Sequence, residues 1–175
     1  MLAETKNAAI PKNWSELCDP IQPFLDEVSD RLQDEVKNFD PQITTFVQYA
    51  LASRGKQLRP ALVALAARAA GGIKPQHVHV AVIIEMVHLA TLVHDDVVDE
   101  AEVRRNRPTL AANWGNKVSV LAGDCLFAEA LKLAATLPSN EVCRLVSQSA
   151  KIVCTGEIRQ TLQRGNFELS REEYL

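Results

Sequence analysis

Apolar residues recur along this chain at spacings of three and four. Phe24, Leu25, Val28, Leu32 and Val36 form one such stripe, and Ile43, Phe46, Val47, Ala50 and Leu51 form another, which is the signature of helices with one buried face. The punctuation between the stripes agrees. Asp40-Pro41 reads as an N-cap followed by proline at the first helical position; Arg59-Pro60 opens an Ala/Leu-rich helix that Gly71-Gly72 closes; Pro75 starts the next. Further helices are expected over about 76–100, 116–136 and 139–164, with breaks at Leu137-Pro138-Ser139-Asn140 and Gly165-Asn166. No alternating strand pattern bounded by turn residues appears, and there is no internal repeat. The expected class is all-α.

Composition changes this picture only at its edges. A chain of 175 residues is long enough for one domain burying roughly two thirds of its unfolded surface. With 47% apolar residues, 23% charged residues and a net charge of −3, nucleic-acid binding driven by bulk charge is excluded, although local basic clusters remain able to hold anions. Cys18, Cys125, Cys143 and Cys154 lack metal-knuckle or C-x-x-C spacing and read as reduced, mostly core thiols of a cytoplasmic protein. Residues 1–13 contain no apolar stretch of the secretory kind. Val78 to Val93 is the most hydrophobic run, but it carries Glu85 and His88 and is too short to predict a transmembrane segment.

Chemistry concentrates where that run ends. Asp95, Asp96 and Asp99 form an Asp-Asp-Val-Val-Asp cluster, followed by Arg104 and Arg105. On a helix, Asp95 and Asp99 share a face and Asp96 lies three residues before Asp99. Like charges at this spacing repel, and near a helix C-terminus the macrodipole disfavours them further. A hard divalent cation such as Mg²⁺ removes that penalty; it takes carboxylate oxygens, keeps several waters and is commonly completed by phosphates. Upstream, Gly55-Lys56-Gln57-Leu58-Arg59-Pro60 puts Lys56 and Arg59 at a helix start, which is either an anion seat or a solvated charged turn. His88, two turns before Asp95, is either a core histidine or a substrate ligand on the aspartate face. Glu85-Met86-Val87-His88 also matches the Glu-x-x-His of di-iron helical bundles, but that chemistry needs a second such pair, and the chain has none.

Four ordered segments, Gly55 to Pro60, Glu85 to His88, Asp95 to Asp99 and Arg104 to Thr109, together with Gly115-Asn116 and Val120-Leu121-Ala122-Gly123-Asp124, resemble the trans-isoprenyl diphosphate synthases, or polyprenyl synthetases. The resemblance runs from about Pro20 to Leu175. It implies an N-terminal segment over 1–19 and, over 20–175, the N-terminal part of a helical bundle of the isoprenoid synthase type. It further implies that Lys56, Arg59, His88 and Arg105 hold the diphosphate of isopentenyl diphosphate, that Asp95 and Asp99 bind Mg²⁺ with Asp96 in support, and that Arg104 contacts an allylic diphosphate such as farnesyl diphosphate. A homodimer is implied as well. In this family the residues one turn before the first aspartate-rich motif floor the product tunnel. Here they are Ala90 and Thr91, small enough to imply a long product of the octaprenyl class.

The family's second aspartate-rich motif, Lys-Thr pair and Phe-Gln pair have no counterpart in these residues. Ser170-Arg171-Glu172-Glu173 is a capping box followed only by Tyr174 and Leu175, a helix begun and then cut. The expectation is therefore a chain truncated before its C-terminal half, with little or no synthase activity alone. Its alternatives are a non-catalytic or regulatory subunit, or a fragment, of such an enzyme.

Overall fold

The computed structural model describes residues 13–52 and 55–174. The expectation of no secretory stretch in the first dozen residues, and Leu175 after the capping box, lie outside them. The chain divides into two compact units, Met1–Thr136 and Leu137–Leu175.

The first unit begins with α1 (Trp14–Cys18) and a 3-10 turn at Asp19–Ile21, then α2 (Gln22–Lys37), α3 (Pro41–Leu51), α4 (Leu58–Ala69) and α5 (Pro75–Val98). A short hairpin follows, β1 (Val103–Arg104) and β2 (Arg107–Pro108), and then α6 (Leu110–Trp114) and α7 (Asn116–Ala135). The expected stripes are the buried faces: Phe24, Leu25, Val28, Leu32 and Val36 on α2, and Val47 and Leu51 on α3. The caps are those read from the sequence. The Asp40 carboxylate accepts the Gln42 N–H at 2.8 Å with Pro41 behind it. Gly71 and Gly72 end α4 in a Schellman motif, in which the Gly72 N–H reaches the Ala67 carbonyl at 2.9 Å and the Gly71 φ of 112° suits a residue without Cβ.

Helix α5 is the axis of this unit and packs against α2, α4 and, most extensively, α7. It buries Val78, Ala81, Val82, Ile83, Met86, Ala90 and Val93, and α7 buries Ser119, Ala122, Gly123, Leu126, Ala130, Leu133 and Ala134. Each large aliphatic side chain sealed here contributes about 1.5–3 kcal/mol, and the alanines and the glycine let the two helix backbones approach. The apolar run Val78 to Val93, read from the sequence as too short to span a membrane, is the middle of a longer helix. Helix α5 has 24 residues and, by length and composition only, is long and apolar enough to cross one; here it is the core helix of its unit.

The second unit contains α8 (Glu141–Gln163) and α9 (Arg171–Tyr174). None of the α8 residues is buried, and Leu145, Ile152, Val153, Ile158 and Leu162 are exposed. The capping box is formed: the Ser170 Oγ accepts the Glu173 N–H at 3.3 Å, and the Glu173 carboxylate accepts the Ser170 N–H at 2.9 Å.

The all-α class is therefore observed, with the two-residue hairpin as a departure. Two residues per strand are too few to leave an alternating pattern. The cysteines are also corrected. Cys18 alone among the four is buried and Cys154 is exposed, because Cys154 lies on α8, where no residue is buried.

Candidate active site

The last two turns of α5 carry the aspartates. Asp95 and Asp99 share an exposed face, whereas Asp96 turns inward with 6% of its surface accessible. Its Oδ1 accepts the Arg104 Nε–H at 2.7 Å, a charge-assisted contact that offsets the desolvation of the carboxylate. The helix ends immediately afterwards in a second Schellman motif. The Ala101 N–H reaches the Asp96 carbonyl at 2.9 Å and Glu100 has a φ of 52°. A glutamate at this left-handed position costs about 1–2 kcal/mol that a glycine would not.

The chain then enters the hairpin. Val103 pairs with Pro108 and Arg104 with Arg107, and the two-residue loop, Arg105 and Asn106, has φ of 51° and 61°. Positive φ at both loop positions is the type I′ arrangement, which usually selects Asn-Gly; an arginine there is a local strain placed at a candidate site. Tyr49 holds the hairpin from α3. Its hydroxyl donates to the Pro108 carbonyl at 2.7 Å, the Arg107 guanidinium lies 4.5 Å from its ring centroid, and Phe46 and Tyr49 both meet Trp114 edge-on. The hairpin thus sends Arg104 toward Asp96 and Arg105 toward the loop before α4.

That loop forms one wall of a cavity of about 700 Å³. Gly55 approaches Arg105 so closely that a Cβ there would lie 2.9 Å from Nη2. Gln57, at a φ of 49°, caps α4 and is tied to α2 through Nε2, which donates to Ser29 Oγ at 2.7 Å and to the Leu25 carbonyl at 3.3 Å. The Trp14 indole N–H donates to the Lys56 carbonyl at 3.2 Å. Lys56, Arg59, His88 and Arg105 all line the cavity, as does Glu85. Three cations against one carboxylate leave it electropositive, and the N-terminus of α4 adds to that.

His88 contributes no charge at neutral pH. Burial first, then the fields of Arg59, Arg105 and Arg104, push its pKa down to about 4. Burial raises the Glu85 carboxyl while Arg59 and Arg105 pull the other way.

The structure thus gathers the four residues expected at one diphosphate in one cavity, and it sets Asp95 and Asp99 on one face. Ala90 and Thr91 are elsewhere. Ala90 is 1% exposed, and Thr91 bonds through its hydroxyl to the His88 carbonyl at 2.9 Å; neither lines the cavity. Gln57, Tyr49 and Trp14 were not found from the sequence, since their partners lie 28 to 59 residues away.

Among the described residues no three His, Cys, Asp or Glu side chains converge tightly enough to hold a metal alone. Two carboxylates at i and i+4, with Asp96 engaged by Arg104, suit an ion that completes its shell with water and phosphate oxygens. Among the described residues Glu85 and His88 share their cavity with Arg59 and Arg105 and with no second carboxylate–histidine pair, which leaves the di-iron reading without the second pair it needs.

A family model described as polyprenyl synthetase matches residues 40–175. The chain belongs to the polyprenyl synthetase family. It is 37% identical over 142 residues to octaprenyl diphosphate synthase of Escherichia coli K12, covering 81% of this chain and 44% of that protein. Among solved structures, a decaprenyl diphosphate synthase from Rhodobacter capsulatus superposes with a TM-score of 0.85 at 33% identity, over 93% of this chain and 50% of that one. A polyprenyl synthase from Caulobacter crescentus CB15, complexed with calcium and isoprenyl diphosphate, gives a TM-score of 0.85 at 29% identity, over 95% and 51%. The chain spans about half the length of the curated relatives it matches. Gly55 to Pro60, Asp95 to Asp99 and Arg104-Arg105 all lie within the first unit.

Proposed function

We propose that this chain supplies the isopentenyl diphosphate seat and the first metal-binding face of a long-chain polyprenyl diphosphate synthase, its residues 20–175 forming the N-terminal part of an isoprenoid synthase domain behind a segment at 1–19. The observation that carries this reading is the shared cavity of Lys56, Arg59, His88 and Arg105 beside the helix end that presents Asp95 and Asp99.

Lys56, Arg59 and Arg105 bind the isopentenyl diphosphate as fixed cations, and neutral His88 adds a hydrogen bond at the edge of the same anion. Arg104, oriented through Nε by Asp96, keeps its terminal nitrogens for the diphosphate of the allylic substrate. Asp95 and Asp99 would hold Mg²⁺, which when bound would supply charge neutralisation for the allylic diphosphate as a leaving group. The isopentenyl double bond then attacks the allylic cation, a new C–C bond forms, and a proton leaves to give a chain one isoprene unit longer. Apolar side chains of α5, Leu89 and Leu92 at the cavity wall, exclude water from the cation. The small Ala90 and Thr91 favour a long product of the octaprenyl class. A cytoplasmic homodimer is the proposed setting.

The 175 residues contain no second aspartate-rich cluster, so the isolated chain is expected to elongate weakly or not at all. Incubation with Mg²⁺, farnesyl diphosphate and labelled isopentenyl diphosphate tests this. Negligible turnover alone, restored by adding the C-terminal half of a related synthase, supports the proposal; failure of every such combination to elongate would count against it.

A further inference from the structure

One charged-site neighbour has no role in either substrate seat. His94, next to Asp95, directs its ring at α7. Nε2 lies 3.1 Å from the Val120 carbonyl and 3.4 Å from Asp124 Oδ1. Both neighbours accept, so Nε2 carries the proton and donates. The ring fills the notch left by Gly123: a Cβ there would lie 2.5 Å from Cδ2 and 3.0 Å from Cε1, and nearer still to Nε2. Gly123 sits inside α7 with no left-handed backbone to explain it. A glycine in a helix interior is unfavourable relative to alanine by about 0.5–1 kcal/mol. Space for the His94 ring is the reason found here for it.

Successive helical residues are rotated by roughly 100°. Asp95 and Asp99 therefore lie close in angle, with His94 on one side of them and Asp96 on the other. Asp96 is fastened by Arg104 of the hairpin, and His94 by α7. We propose that His94 is a positioning residue: seated in the Gly123-Asp124 socket, it fixes, opposite the Asp96–Arg104 pair, the angle at which the last turn of α5 presents its two outer carboxylates. The functional part of this rests on reading those carboxylates as a metal site.

The test uses the isotope-labelled 175-residue chain. Gly123→Ala drives the ring out by collision, whereas the double substitution His94→Ala with Gly123→Ala removes the collision and leaves the socket without its plug. In that double variant, amide exchange over Asp96 to Glu100 is expected to rise about tenfold while Ile83 to Met86 keep their protection. His94→Gln, whose amide donates from a similar place, is expected to retain most of the protection. A two-bond ¹H–¹⁵N spectrum is expected to show the Nε2–H tautomer of His94. Unchanged exchange in the last turn, an equal rise along all of α5, or an Nδ1–H tautomer overturns the proposal. Mn²⁺ serves as the metal probe, and its broadening of the Asp95 and Asp99 amides is expected to weaken several-fold in the double variant. No broadening in the wild-type chain contradicts the metal reading alone, and the exchange data then decide the socket.

Discussion

The Asp96–Arg104 pair gives the account a quantitative consequence. A hydrogen bond to a charged group contributes about 1.5–3 kcal/mol net when well buried, and an exposed ion pair about 0–1 kcal/mol. Here the carboxylate side chain is 8% exposed and the arginine side chain 33%, at 2.7 Å, so a coupling near the middle of that range, about 1–2 kcal/mol, is expected. The perturbation is the cycle Asp96→Ala, Arg104→Ala and both together. Arg104→Ala should be the worse single change, by about 3 kcal/mol, because it strands a buried carboxylate. The double variant should recover part of that loss. Both tryptophans, Trp14 and Trp114, lie in the first unit, so their fluorescence in urea follows the unit that contains the pair. A coupling energy under about 0.3 kcal/mol, the scatter expected of independent sites, would refute the reasoning and release Asp96 as a candidate metal ligand.

Three further outcomes follow from particular geometries. Glu100→Gly relieves the left-handed Cβ at the end of α5 and should stabilise the unit by about 0.5–1 kcal/mol in the same urea assay; a loss of stability contradicts the Schellman reading. Gly55→Ala places a methyl group against the Arg105 guanidinium and should weaken inorganic diphosphate binding several-fold by calorimetry with little change in unfolding; unchanged affinity removes Arg105 from the seat. His88 should titrate near 4, well below its usual 6.5. Between those values the folded chain then binds fewer protons than the unfolded one, so the contribution of His88 is complete above pH 6.5 and is lost as pH falls toward 4. Glu85, raised by burial, acts in the opposite sense, so the ring should be followed directly by NMR in wild type and in Glu85→Gln. Diphosphate in the cavity should move the midpoint upward, and a midpoint at 6.5 without ligand contradicts the burial assigned to His88.

The helices were legible because their signals are local. Asp40-Pro41, Gly71-Gly72 and the Ser170/Glu173 box each act within a turn of helix, and each forms as read. The convergence of Lys56, Arg59, His88 and Arg105 was legible through resemblance, since spacing alone does not bring residues 56 and 105 to one cavity. What stayed hidden depends on tertiary approach. The Arg105-Asn106 turn lacks the Asn-Gly that announces a hairpin, and Gly123 announces nothing until the His94 ring is seen across from it. Asp96 was read as supporting Asp95 and Asp99, but its partner, Arg104 eight residues on, is set by the hairpin and was not legible.

The central claim is that the basic cavity is built for the diphosphate of isopentenyl diphosphate, and titration of this chain with isopentenyl diphosphate by calorimetry tests it most directly. The account predicts saturable one-site binding that moves the His88 ring signals and is lowered at least tenfold by Arg59→Gln together with Arg105→Gln. Saturable binding that both substitutions leave unchanged, or no binding by a folded chain, would contradict it.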